Sequence, residues 1–132
     1  MDIVATLLAE ITKTQDDLNR IDFKLNDEQF TFYFTYLTLL QKVKIEQLAT
    51  VPHTTIKTDG SQTTKFEKQD YMIPIYTILV KAKDENGKDI FNANDPLHKK
   101  LISDFPASLS SYVAYELSKD IFGSLGIGEE NE

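Results

Sequence analysis

The sequence predicts a small α+β domain that is mostly helical and contains a few short strands. Two observations carry this prediction: apolar residues recur at helical spacing in several segments, whereas two other segments show the patterns of a strand and of a hairpin. A length of 132 residues with 41% hydrophobic residues is typical of one globular domain. We therefore expect a single domain over residues 1–125, followed by a flexible acidic tail over residues 126–132.

The chain starts with a predicted amphipathic helix over residues 3–18, with Asp2 at the N-cap position. Its apolar residues recur at helical intervals of four or seven positions: Ile3, Leu7, Ile11 and Leu18. Apolar and polar residues then alternate over residues 21–25, which predicts a short, half-buried strand.

Residues 30–48 are the most ambiguous part of the sequence. Their aromatic and β-branched content favours a strand, whereas their length favours a helix. A capping residue at Asn26 or Asp27 also favours a helix, with a capping box completed one turn later. We favour a helix that is covered on more than one side, and a strand is the alternative.

A Thr-rich hairpin is expected at about residues 54–67. Asp59-Gly60 lies between two Thr-rich runs, and this dipeptide is typical of hairpin turns. Few neighbouring side chains are large and apolar, so the hairpin has little with which to anchor itself to a core. A mobile arm and a plain exposed loop are both consistent with the pattern.

The second half of the chain predicts a helix from about Asp70 to Lys83. Pro74 falls near its first turn, where a missing N–H matters least. A buried strand after Pro74 is the alternative. The helix is followed by a turn at residues 84–87.

Two further helices complete the predicted fold. The first starts at Pro96 and is capped by Asn94 or Asp95. The last runs from about Pro106, with apolar residues at four-residue steps up to Ile121 and Gly123 as its C-cap. Because no linker or repeat interrupts this order, one domain remains the simplest interpretation.

Composition excludes several classes of function. A net charge of −7 disfavours nucleic acid as a partner, because a phosphate backbone is held by neutralisation. The absence of cysteine excludes disulfides, thiolate zinc sites and cysteine nucleophiles. The longest apolar stretch, residues 71–80, is too short to cross a membrane, and the N-terminus lacks a secretory signal pattern. We therefore expect a cytoplasmic location and no membrane partner.

The sequence offers little for catalysis or metal binding. Carboxylate pairs such as Asp16-Asp17 and Asp84-Glu85 are adjacent residues at inferred helix ends or turns, where capping explains them. His53 lies beside a proline, and two lysines follow His98, so neither predicts a metal site. We expect a protein that is not an enzyme, with no catalytic, metal-binding or cofactor-binding residues.

A family resemblance lies in residues 76–122, which read YTILVKAKDENGKDIFNANDPLHKKLISDFPASLSSYVAYELSKDIF. An apolar segment is followed by Asp-Glu-Asn-Gly-Lys, the apolar pair Ile90-Phe91, a polar helix start and a final amphipathic helix. This order resembles the tail assembly chaperones of long-tailed, siphovirus-like bacteriophages. The strand and the long predicted helix of the first half are similar to that family more loosely.

The resemblance implies a non-catalytic protein that binds the tape measure protein and aids tail tube assembly in the host cytoplasm. Such a chaperone needs exposed apolar or aromatic surface on a soluble protein. We expect Phe32, Tyr36 and Leu39 to contact the partner, because they lie off the main apolar face of the predicted helix 30–48. Packing against the other helices is the alternative for each residue, and the same helix could serve as half of the interface in a homo-oligomer.

Two other functions compete with the chaperone. The first is a structural subunit of a phage tail or head–tail connector, in which residues 50–68 order neighbouring subunits as an arm. The second is a small enzyme, which would need a cleft with perturbed carboxylates between Asp84 and Asp95.

Overall fold

A computed structural model describes residues 2–124 of the chain. These residues form five helices and six short strands, and the strands pair into three two-stranded antiparallel sheets. The elements are α1 (Ile3–Asp16), β1 (Asn19–Leu25), β2 (Glu28–Phe34), α2 (Leu39–Leu48), β3 (Thr50–Ile56), β4 (Gln62–Lys68), α3 (Met72–Lys81), α4 (Pro96–Ser103), α5 (Ala107–Leu117), β5 (Lys119–Asp120) and β6 (Gly123–Ser124). The predicted α+β class is confirmed. The expected acidic tail, residues 126–132, lies outside the described residues.

Helix α1 begins where the sequence predicts. The carboxylate of Asp2 accepts a hydrogen bond of 3.0 Å from the backbone N–H of Val4, which satisfies one of the free donors at the helix start. The helix ends at Asp16, two residues earlier than expected, and no residue of α1 is buried.

The predicted helix over residues 30–48 is wrong in its first part. Strand β2 occupies residues 28–34 and pairs with β1 in a hairpin. Asn26 and Asp27 adopt positive φ values of 53° and 69°, so they form a two-residue hairpin turn instead of a helix cap. Phe32 and Phe34 are buried, whereas the residues next to them in the strand are only partly buried. Burial at every second residue is the pattern of a strand.

Helix α2 starts only at Leu39, after a capping box that replaces the expected cap. The backbone N–H of Gln41 donates to the hydroxyl of Thr38 at 3.2 Å, and the N–H of Thr38 donates to Oε1 of Gln41 at 3.0 Å. The helix contributes the fully buried Ile45 to the core.

The Thr-rich hairpin is confirmed as β3 and β4. It turns through Asp59 and Gly60, whose φ of 85° suits glycine, and the Asp59 carboxylate accepts the N–H of Ser61 at 2.9 Å. Every residue from 52 to 62 is exposed, so the hairpin extends away from the core along most of its length.

Helix α3 lies at the centre of the core, and the alternative strand after Pro74 is not formed. Pro74 stands in the first turn of α3, as predicted, and Ile78 and Leu79 are almost completely buried. The expected cap at Asp70 is wrong, since Tyr71 holds the cap position without a side-chain bond.

The last two helices differ in how well they were predicted. Helix α4 starts with Pro96, and Asp95 caps it by accepting the N–H of Leu97 at 2.9 Å, as expected. Helix α5 starts at Ala107 but ends at Leu117 instead of continuing to Ile121. The predicted C-cap is wrong, because Gly123 lies in β6 with a φ of 111°.

The core forms where α3 packs against α2, α4 and α5. The β1–β2 hairpin adds its buried aromatic side chains to this cluster. Two backbone hydrogen bonds join Tyr33 of β2 to Lys83 just after α3, at 2.9 and 2.7 Å. The hairpin is therefore tied to the helical core, whereas α1 is left at the outside.

Candidate functional site

One side of α1 is an exposed apolar surface, which we call the α1 face. Its members are Ile3, Val4, Leu7, Leu8 and Ile11, and each exposes more than half of its surface. Their spacing places them on one side of the helix. Scattered exposed apolar residues are ordinary, but five on one helix side form a contiguous patch of the kind that marks an interaction site.

Several polar side chains of α1 are paired within the helix. Glu10 and Lys13 form an ion pair of 3.2 Å, away from the centre of the α1 face. The hydroxyls of Thr12 and Thr14 donate to backbone carbonyls one turn earlier, at 2.8 and 3.0 Å. No charged side chain interrupts the α1 face.

A cleft of about 380 Å³ adjoins the C-terminal half of α1. Its apolar lining consists of Ile11, Tyr36, Leu37, Ile121 and Phe122. We call it the α1 cleft.

The turn between β5 and β6 forms one wall of the α1 cleft. Phe122 is 94% exposed, and its backbone N–H donates to the Asp120 carboxylate at 2.7 Å, which fixes the turn. The N–H of Leu37 donates to the carbonyl of Lys119 at 2.9 Å and holds the opposite wall against this turn. The exposed phenylalanine is thus presented by a backbone that is held in place.

The three residues expected to contact a partner occupy different environments. Phe32 is 7% exposed and packs edge-on against Phe23 and Phe91, with ring centroids 4.9 and 5.8 Å apart. Tyr36 is half-buried and lines the α1 cleft, and Leu39 is 78% exposed at the start of α2. The structure therefore places Phe32 in the core, Tyr36 in the lining of the α1 cleft and Leu39 at the exposed start of α2.

Sequence reasoning missed the residues that dominate this surface. The stripe on α1 is visible in the sequence, but the same stripe is typical of a helix packed on a core. Ile121 was assigned to the last helix, and nothing local marked Phe122 as exposed. The signal that was available is the weak helix-forming context after Ser118.

A buried lysine lies beneath the start of α2. The side chain of Lys81 is fully buried, and its Nζ donates to the carbonyl of Thr35 at 2.6 Å and to Oε1 of Gln41 at 3.0 Å. Burial, assisted by the nearby charge of Lys83, lowers the pKa of Lys81 to about 8. Since Lys81 has no access to solvent, it links α3 to the β2–α2 connection and is not placed to act on a substrate.

Other polar groups of the described chain are explained by local structure. The Asp84 carboxylate accepts the N–H groups of Asn86 and Lys88 at 2.8 and 3.0 Å, which organises the predicted turn. Nδ1 of His98 accepts the N–H of Asn92 at 2.9 Å.

Within residues 2–124 no group of three or more His, Cys, Asp or Glu side chains is arranged to hold a metal ion. None of the helices between Asp2 and Ser124 has the length and apolar content of a membrane-spanning segment.

Comparisons with known proteins find no relative of this chain. No family model matches it, and no curated protein or solved structure is significantly similar to it. The resemblance to tail assembly chaperones therefore stays a prediction that rests on residues 76–122.

Proposed function

We propose that this protein is a non-catalytic assembly chaperone that binds a partner protein through the α1 face and the α1 cleft. The single observation that supports this most strongly is the uncovered apolar side of α1 on an acidic domain. The order of residues 76–122 adds the specific proposal, a phage tail assembly chaperone. Its partners are then the tape measure protein and, during tube assembly, the tail tube protein.

The shape of the surface favours a helical partner. An amphipathic helix binds by laying its apolar side into a groove between apolar walls. The α1 face and the β5–β6 turn flank such a groove, and Phe122 and Tyr36 offer aromatic side chains of the kind enriched at protein interfaces. Leu39 is exposed at the start of α2 and follows Thr38, which lines the α1 cleft.

Co-expression with the tape measure protein of the same source tests the proposal. We expect the two chains to elute together from a sizing column in a fixed stoichiometry, measured by light scattering. Ile121→Asp should reduce the recovered complex at least tenfold, because it places a charge in the apolar lining of the α1 cleft. Leu97→Asp is the matched control: Leu97 is 70% exposed on α4, away from the α1 cleft, and its substitution should leave the complex intact.

A structural subunit of a tail or head–tail connector remains the second candidate, supported by the exposed β3–β4 hairpin. No other strand of residues 2–124 pairs with the outer edges of this hairpin, and such edges are suited to pair with a neighbouring subunit. Assembly of the isolated chain into a large closed ring, together with no binding of the tape measure protein, would favour this candidate over the chaperone.

A further inference from the structure

Helix α1 requires a cover that the described chain does not supply. It has 14 residues, and isolated helices of about this length are marginal in water. Most helices gain their stability from packing an apolar side, yet no residue of α1 is buried. The α1 face is therefore expected to be covered by another molecule whenever α1 is fully helical.

We propose that the α1 face is covered by α1 of a second copy of this chain, in an antiparallel pair. A two-fold contact uses the same patch on both molecules, and a continuous uncharged apolar side is self-complementary. A strongly basic partner helix would need acidic residues along the borders of the patch. The one acid near a border, Glu10, is already paired with Lys13.

Charge sets the direction of the pair. The folded body follows the C-terminal end of α1, where Asp16 and Asp17 add further negative charge. A parallel pair would bring two bodies of an acidic protein together at this end. An antiparallel pair places them at opposite ends and also opposes the two helix dipoles.

The position of the apolar residues sets the register. When Leu7 faces Leu8 of the second copy, Val4 faces Ile11, and the two apolar stretches overlap over residues 4–11. Ile3 of each copy then lies at the α1 cleft of the other, next to Ile11 and Phe122. The pair thereby covers part of the apolar turn between β5 and β6 as well as the α1 face.

The covered area indicates a reversible dimer. Five aliphatic side chains, each more than half exposed, supply roughly 300–500 Å² of apolar surface per copy. Ile121 and Phe122 raise this to roughly 500–700 Å², just below the ~800 Å² per partner of a standard stable interface. We therefore expect dissociation on the order of micromolar concentration.

Light scattering over a concentration series tests the pairing. At high concentration the mass should approach twice the chain mass of 15.1 kDa, and on dilution it should fall to that of one chain. Leu8→Glu should weaken dimerisation at least tenfold. Ala9→Glu is the matched control, because it adds the same charge to the next residue, on the opposite side of α1. Equal effects of the two variants, or a wild-type mass that stays monomeric, would overturn the proposal.

Cross-linking tests the direction separately and does not depend on a charged variant folding. The chain has no cysteine, so one introduced thiol can join only to a second copy. In the antiparallel register the two copies of residue 7 lie side by side, whereas the two copies of residue 3 lie about 13 Å apart along the axis, too far for a disulfide. Leu7→Cys should therefore cross-link on oxidation and Ile3→Cys should not. Cross-linking of both indicates a parallel pair, and cross-linking of neither indicates no pair, so each result contradicts the proposal.

This inference goes beyond the proposed chaperone function and can fail without it. The second copy and the partner protein would occupy the same α1 face, so the partner must displace the second copy when it binds. The isolated chain is sufficient for both measurements, whereas the chaperone is tested by co-expression. A dimer without a tape measure complex, or the complex without a dimer, distinguishes the two.

Discussion

Raising the pH from 7 to 10 should stabilise this protein, because a buried ammonium at Lys81 becomes neutral in the folded state first. Its pKa lies at about 8 in the folded protein, against an ordinary value of 10.5. Below pH 8 the amine is charged in both the folded and the unfolded state. Between pH 8 and 10.5 the unfolded state binds the extra proton, so the free energy of unfolding rises with pH.

The magnitude follows from the size of the shift. The full difference between the two pKa values corresponds to about 3 kcal/mol, of which about 2 kcal/mol is gained by pH 10. The two acceptors, the Thr35 carbonyl and Gln41 Oε1, stabilise the charged amine and limit the shift. Desolvation remains the larger effect, since no carboxylate pairs with Lys81 in the described residues.

Urea unfolding at pH 7, 8, 9 and 10 measures this effect. The wild-type curve contains the contribution of every ionisable group, so the informative quantity is the difference between the wild type and Lys81→Met at each pH. That difference should grow in favour of the wild type by about 2 kcal/mol. Lys65→Met, at an exposed position of β4, should give a constant difference. Parallel curves for the wild type and Lys81→Met would refute the reasoning.

Three pairs of substitutions test the remaining structure. Phe32→Ala should lower the free energy of unfolding, measured by urea titration, by about 3–5 kcal/mol, because it leaves a cavity among packed rings. Phe66 is exposed on β4, so Phe66→Ala should change this free energy by less than about 0.5 kcal/mol. Thr38→Ala should cost about 1 kcal/mol by thermal unfolding, since it removes one half of the capping box, and Thr38→Ser should retain most of it. Gly87→Ala should lower the free energy of unfolding by about 1 kcal/mol, because φ is 79° at this position. Gly87→Asn should lower it less, because asparagine tolerates this conformation. Equal losses of stability in the two variants would argue against backbone strain as the cause.

The helices of the second half could be predicted because short-range signals mark their ends. Asp95 followed by Pro96 is both a cap and a favoured first residue, and the structure uses it in that way. Pro74 is tolerated in the first turn of α3 for the same local reason. Such signals act over a few residues and do not depend on the rest of the fold.

The error at residues 30–48 has a different origin. Aromatic residues fill the segment so densely that they fit both the helical and the strand period. The residues on either side of the aromatic run determine where the strand ends and the helix begins. Asn26 and Asp27 adopt the positive φ of a hairpin turn, and Thr38 with Gln41 forms a capping box further along the chain. Both signals are present in the sequence, and the correct boundary follows from the second.

The candidate site was only partly predictable, since a hydrophobic pattern shows which side of a helix is apolar but not what covers it. The stripe on α1 looks like that of any core helix, and its exposure depends on where α2 and the β5–β6 turn lie. Lys81 is a similar case. Lysine is seldom fully buried, so nothing in its local sequence indicates the bonds to Thr35 and Gln41.

The exposed β3–β4 hairpin gives this protein a site where an additional peptide can be inserted. The turn at Asp59-Gly60 lies in a run of exposed residues from 52 to 62, and exposed turns of this kind tolerate insertions. No hairpin residue lines the α1 cleft. A fluorescent reporter or an affinity peptide inserted between Gly60 and Ser61 would leave α1, the cleft and both termini unaltered, and would allow assembly to be followed in living cells with the surface of interest untouched.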